Sequence, residues 1–323
     1  MRKRFCALTK TLANYTAAAK FATLTVLLPL LTGCPDLTQV QQLDKTADAA
    51  KSSLTPIAAD FKASCDRQNL YTYLPPGPPP NPPPVKPCGN GDDLDKLGKN
   101  ILKEQSILLD YFDALGSLSA TDASGFEKVA PALDTSFKNA GLNATQQEMG
   151  KAAGTLASAI TKLATEGYRK KKILEILKEA DPAVQKITIG LANQVAPVSD
   201  LSVPPAGSQP RPDVSSYLAL LYNEDIGLKT YYEIPLTQDH NGPAAILLTV
   251  QYQTAQELQS NRQDAAVAYR KLMLALGQAH ASLLTDAEKG DFNKDSIKQI
   301  AKDLAQPMSD MSDAINTLQK DMR

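Results

Sequence analysis

The chain contains no tryptophan, only two histidines (His240 and His280), four cysteines, and aromatic residues at just 6% of its 323 positions. A zinc site needs three or four nitrogen, sulfur or carboxylate ligands in tight spacing, and the two histidines fall on different predicted elements. No metal and no other cofactor is therefore expected. The motifs of several common chemistries are missing too: there is no G-x-S-x-G elbow, H-E-x-x-H pair, P-loop or G-x-G-x-x-G turn. With no convergent set of acid, base and nucleophile to point at, the chain reads as non-enzymatic. Neither sign of charge dominates, since 34 Lys and Arg stand against 35 Asp and Glu. A nucleic-acid partner, which calls for a clustered basic surface, is not expected. The apolar run from Phe21 to Leu31 is interrupted by Pro29 and falls short of the roughly 20 residues that span a bilayer. No stretch alternates with period two over any length, so no substantial sheet is expected.

What is present begins with a leader. Arg2, Lys3, Arg4, Lys10 and Lys20 precede that apolar run, which ends in Leu31-Thr32-Gly33-Cys34. Basic, apolar and small-residue regions in this order are the layout of a secretory signal peptide with its processing site. The last four residues resemble the lipobox of bacterial lipoproteins: an aliphatic residue, two small residues and a cysteine. The resemblance implies cleavage before Cys34 and acylation of its sulfur, with residues 1–33 as signal peptide and 34–39 as a lipidated tether. It also implies a protein of the bacterial cell envelope, held to a membrane through the Cys34 lipid and facing the periplasm or the exterior. Such cysteines carry two or three acyl chains, which meets the need for more than one chain in stable anchoring. Loss of the five leader cations leaves a net charge of about −6 on the mature chain.

Setting aside Cys6 and the lipidated Cys34 leaves Cys65 and Cys88, which in an oxidising compartment are expected to form a disulfide. Between them lies a loop over 66–87 ending in Pro75-Pro-Gly-Pro-Pro-Pro-Asn-Pro-Pro-Pro-Val-Lys-Pro87, where fixed φ and missing N–H groups enforce polyproline II. This segment is either a rigid spacer or a docking element with Tyr71 and Tyr73 at its root.

The rest reads as all-α, an elongated antiparallel helical bundle of one or two sub-bundles. An N-terminal helical region spans 40–196. Its first apolar stripe includes Val40, Leu43, Ile57 and Phe61, with Pro56 either kinking the helix or restarting it with Thr55 as N-cap. A second helix is expected over about 92–118 on Leu94, Leu97, Ile101, Leu108, Tyr111 and Leu115, with Glu104 the one polar intruder in the stripe. The two should pair antiparallel. A shorter helix over about 122–139 and a longer one from a capping box at Thr145–Glu148 follow, and Asp181-Pro182 is expected to end the latter and cap a further helix to about Val195. The Pro- and Ser-rich stretch 197–212 is the natural internal linker. The C-terminal region, 213–323, is expected to hold a helix capped by Asp213, a polar connection over about 223–242, one helix of about 40 residues from Ala244, and a closing helix bent by Pro307.

Candidate sites are few. Glu224, Asp225, Tyr231, Tyr232, Asp239 and His240 give the 223–242 connection the polar and aromatic variety of a ligand site. Asp291-Phe-Asn-Lys-Asp295 resembles the start of an EF-hand loop, but Ser296 replaces the turn glycine and Lys302 the closing glutamate, so Asp295 is expected simply to cap the last helix. Arg169–Lys172 reads as a solvated helix face. Two functions follow. The first is a non-enzymatic envelope scaffold, spacer or protein-binding bundle with an envelope protein as partner. The second, of a different class, is a small-ligand-binding or enzymatic domain built on 223–242.

Overall fold

Apolar residues recurring at three- and four-residue steps commit most of this chain to helix, and the computed structural model is all-helical, with no strand among the described residues. It describes residues 55–73, 91–119, 151–152, 154–156, 170–201, 216–238, 242–289 and 294–321, all of them within the compact unit Pro35–Arg323. We label the helices α1 (Thr55–Tyr73), α2 (Gly91–Ser119), α3 (Lys170–Val195), α4 (Tyr217–Gln238), α5 (Pro243–Lys289) and α6 (Lys294–Asp321), with a single 3₁₀ turn at Val198–Asp200. Residues 151–152 and 154–156 are also helical, with Ala152 and Leu156 buried.

α5 is the longest of these helices at 47 residues, and α3, α4 and α6 all pack on it. α1 lies against both α2 and α4. Cross-helix pairs give the directions. α3 runs opposite to α5, since Asn193 meets Arg270, Asp181 meets His280 and Lys178 meets Glu288. α4 also runs opposite to α5, with Leu221 beside Gln259 and Tyr232 beside Tyr252. α1 and α4 run in the same direction, because Asp60 pairs with Tyr217, Arg67 with Glu224 and Tyr71 with Tyr231. One continuous apolar core includes Phe61, Leu108, Leu191, Leu221, Leu272 and Leu304, drawn from both sides of the 197–212 segment. In the absence of tryptophan its largest fully buried side chains are Tyr111, Tyr217, Tyr269, Phe61 and Phe112.

Several helix ends differ from the sequence expectation. α1 spans Thr55–Tyr73 with Pro56 in its first turn, and it runs on through Asp66–Tyr73, which the sequence assigned to the Pro-rich loop. Cross-helix partners hold those two extra turns: Arg67 is ion-paired with Glu224, and Tyr71 sits over Gly227 and Tyr231. α3 passes straight through Asp181-Pro182. Proline inside a helix costs one hydrogen bond and a clash with the preceding turn, and this is offset by burial of Ala180, Ala183, Val184 and Ile187 on both sides of it. The Asp181 carboxylate, expected as a cap, is instead bonded to His280 and Gln185. α4 is capped by Ser216, whose hydroxyl accepts from the Ala219 N–H at 3.1 Å while donating to Asp200 at 2.7 Å. Asp213, the expected cap, lies outside the described residues. α4 also continues to Gln238, so most of the expected polar connection 223–242 is helix. α6, by contrast, is one helix on both sides of Pro307, as the sequence leads one to expect of a closing helix there. The expected helix over 122–139 and the capping box at 145–148 fall outside the described residues.

Candidate functional site

Four polar groups of side chains stand out, three of them internal. The first joins α1, α4 and α5. Arg67 places its guanidinium between two carboxylates: Nη1 and Nη2 donate to the two oxygens of Asp60, each at 2.8 Å, and Nε donates to Glu224 Oε1 at 2.6 Å. Ser64 Oγ donates to Glu224 Oε2 at 2.7 Å, Tyr217 OH donates to Asp60 Oδ2 at 2.7 Å, and Arg262 Nη1 approaches Glu224 Oε1 at 3.4 Å. Gln259 closes the group by donating to the Leu221 carbonyl. Two cations thus face two anions, and the Glu224 side chain is only 1% exposed. Burial opposes the charge on Arg67, but the hydrogen bonds it donates to Asp60 and Glu224 outweigh it and raise the guanidinium above its ordinary value. Burial first, and the neighbouring Asp60 charge second, push the Tyr217 hydroxyl well up. A bidentate, charge-balanced arrangement of this kind is a clasp between helices.

The second group is a chain of hydrogen bonds across α2, α5 and α3. Tyr111 OH lies 2.9 Å from His280 Nε2, and His280 Nδ1 lies 2.9 Å from Asp181 Oδ1. Gln185 Nε2 donates both to Asp181 Oδ1 at 3.1 Å and to the Gly277 carbonyl at 2.8 Å. The assignment that satisfies every atom has Tyr111 donating to Nε2 and an Nδ1–H donating to Asp181. Nucleophile, base and orienter stand in triad order. The would-be nucleophile, however, is sealed: Tyr111 and His280 have no exposed surface, and burial pushes the Tyr111 hydroxyl well above its ordinary value. With neither side chain exposed, the hydrogen-bond chain ties α2, α5 and α3 together from within the core. His280, considered in the sequence only as a metal ligand, is bonded to Tyr111 and Asp181 from two other helices.

The third group is Glu104 on α2 with Gln194 on α3 and Tyr269 on α5. Gln194 Nε2 donates to Glu104 Oε2 at 3.2 Å, and burial pushes the Glu104 carboxyl up to about 7.

The fourth lies at the end of α4 and the start of α5. Tyr71, Tyr231, Tyr232 and Tyr252 form a run of ring contacts with centroid separations of 5.9, 5.0 and 5.2 Å. Beyond it on α5, Ile246, Leu247 and Val250 are 70, 59 and 53% exposed. Helical spacing puts Leu247 and Val250 in one apolar stripe with Ala265, Ala268 and Leu272, but the buried part of that stripe begins in earnest at Ala265. The structure thus brings Tyr231 and Tyr232 together, on a helix face and not on a loop, while Asp239 and His240 lie outside the described residues. So do Cys34 and Cys88, whereas Cys65 is buried on α1.

Among the described residues no group of three or more His, Cys, Asp or Glu is placed to hold a metal ion, and no helix is long and apolar enough to cross a membrane. Asp291–Asn293 are outside the described residues, and α6 begins at Lys294, one residue before the expected cap Asp295. No family model, curated protein or solved structure matches this chain.

Proposed function

We propose that this protein is a lipid-anchored component of the bacterial cell envelope, acylated at Cys34, whose helical bundle acts as a non-enzymatic scaffold or protein-binding surface. The observation that carries the anchor is the basic leader and apolar run ending in Leu31-Thr32-Gly33-Cys34. Two features of the bundle support the non-enzymatic half. Its polar side chains are spent on one another between helices, as in the Arg67–Glu224 clasp and the sealed Tyr111–His280–Asp181 chain. Its exposed Ile246, Leu247 and Val250, beside the tyrosine run, have the apolar and aromatic character of a protein contact. The same oxidising compartment would suit a disulfide between Cys65 and Cys88, which this reading includes.

A single mass analysis of the protein from its native membranes tests this reading. The mature N-terminus should be a diacylglyceryl Cys34, and non-reducing digestion should yield a Cys65–Cys88 peptide pair. Cys34→Ala should leave the full-length precursor unacylated. Wild-type protein carrying an unmodified Cys34, or retaining residues 1–33, would overturn the anchor, and free thiols at 65 and 88 would overturn the pairing.

A further inference from the structure

Glu104 and Glu224 are each at most 1% exposed, yet among the described residues only Glu224 is ion-paired with cations. Glu104 Oε2 receives one hydrogen bond, from the neutral Gln194, and Glu104 Oε1 has no hydrogen-bond partner. The buried Gln105 Oε1 and Tyr269 OH also lack one. One turn away on α2, Ile101 and Leu108 are buried to 2% exposure or less, so the carboxyl stands among apolar side chains. A carboxylate can only accept hydrogen bonds, whereas a carboxylic acid also donates one. Protonation of Glu104 turns one oxygen into a donor and removes a buried charge that no cation and no hydrogen bond to Oε1 offsets among the described residues.

We infer that Glu104 is a proton-binding site in the core, filled when α2, α3 and α5 are tightly packed and emptied as pH rises, so that this three-helix junction is a pH-sensitive element of the fold. The groups that face it agree. From α3 it meets the neutral Gln194, and from α5 it meets Tyr269, whose hydroxyl is pushed up first by burial and then by the Glu104 charge. Tyr111, two turns along α2, is committed to His280. The cation next to Tyr269 on α5, Arg270, donates instead to Asn193 Oδ1 and the Ala196 carbonyl, each at 2.9 Å. Burial is the dominant cause of the raised Glu104 value, and the Gln194 bond opposes it.

The sign follows from linkage. A carboxyl that binds its proton more tightly in the folded chain favours folding at low pH and loses that advantage as pH rises from the ordinary value of 4.5 to about 7. Chemical denaturation of the full chain between pH 5 and 8.5 reads this directly. Relative to Glu104→Gln, the wild-type unfolding constant should climb by up to roughly tenfold per pH unit and level off above neutrality. A wild-type to variant ratio that stays flat with pH would overturn the proposal. If Glu104→Gln does not fold, a ¹³C titration of the Glu104 carboxyl in the wild type decides the matter: titration near neutrality supports the site, and titration in the ordinary glutamate range refutes it.

Discussion

Two guanidiniums and two carboxylates can share one buried junction because each charge there faces an opposite one at hydrogen-bond distance. Glu224→Ala would leave Arg67 and Arg262 with Asp60 alone. Breaking a buried pair from one side typically costs about 3 to 5 kcal/mol. The lower figure is expected here, because the two arginine side chains keep 23 and 15% of their surface in water. Lys99→Ala, which removes a surface pair with Asp95, should change stability by less than about 0.5 kcal/mol. Urea titrations of the two variants beside the wild type check the contrast. Asp181 offers a pH signature of opposite sense to that of Glu104. The hydrogen bond from His280 is the main cause holding its carboxyl below 3.8, with Gln185 helping and burial opposing. A depressed carboxyl contributes stability above its unfolded value and loses it as pH falls through the folded value. Wild-type stability should therefore drop below about pH 4 in a way that Asp181→Asn does not, as followed by helical circular dichroism against pH.

At the scale of helices, close approach rather than propensity decides who sits beside whom. A Cβ on Gly98 would lie 2.2 Å from the Ala58 carbonyl oxygen, which is backbone and cannot step aside. In isolation Gly→Ala favours a helix by about 1 kcal/mol. At this contact Gly98→Ala should instead destabilise by about 1 to 3 kcal/mol, because α1 and α2 must move apart. A stabilised Gly98→Ala in thermal melts would show that the contact is not made. Pro182 illustrates the converse: a residue that ends helices by its own chemistry sits inside α3, since Ala180, Ala183, Val184 and Ile187 on either side of it are buried in the core.

Across the whole molecule, one core joins residues from 57 to 315, and α5 carries much of it. Leu272→Ala should cost about 2 to 5 kcal/mol through the cavity it leaves. Ile246→Ala, on the same helix but 70% exposed, should cost under about 0.5 kcal/mol. Equal losses in denaturant titrations would contradict the division of α5 into a packed part and an open one.

Much of this organisation is legible in the amino-acid sequence. Step patterns of three and four locate α2 to within a residue or two at each end, and the uninterrupted run after Pro243 foretells the long α5. Glu104 stands out there as the polar member of an apolar stripe. Glu224 carries the same mark, falling in phase with Tyr217, Leu221 and Leu228, but the polar residues around it read as a connection. The composition and period of the chain thus determined its helical class, and the leader residues by themselves carry the expectation of a lipid anchor. Tertiary structure decided which polar residues lie inside, where α1 and α4 stop, and that α3 survives its proline. The physical reason is distance along the chain. Helical period is set by neighbours three and four residues away, whereas the hydrogen bonds that bury Glu224 come from residues 157 and 160 positions off, and His280 finds Tyr111 at 169.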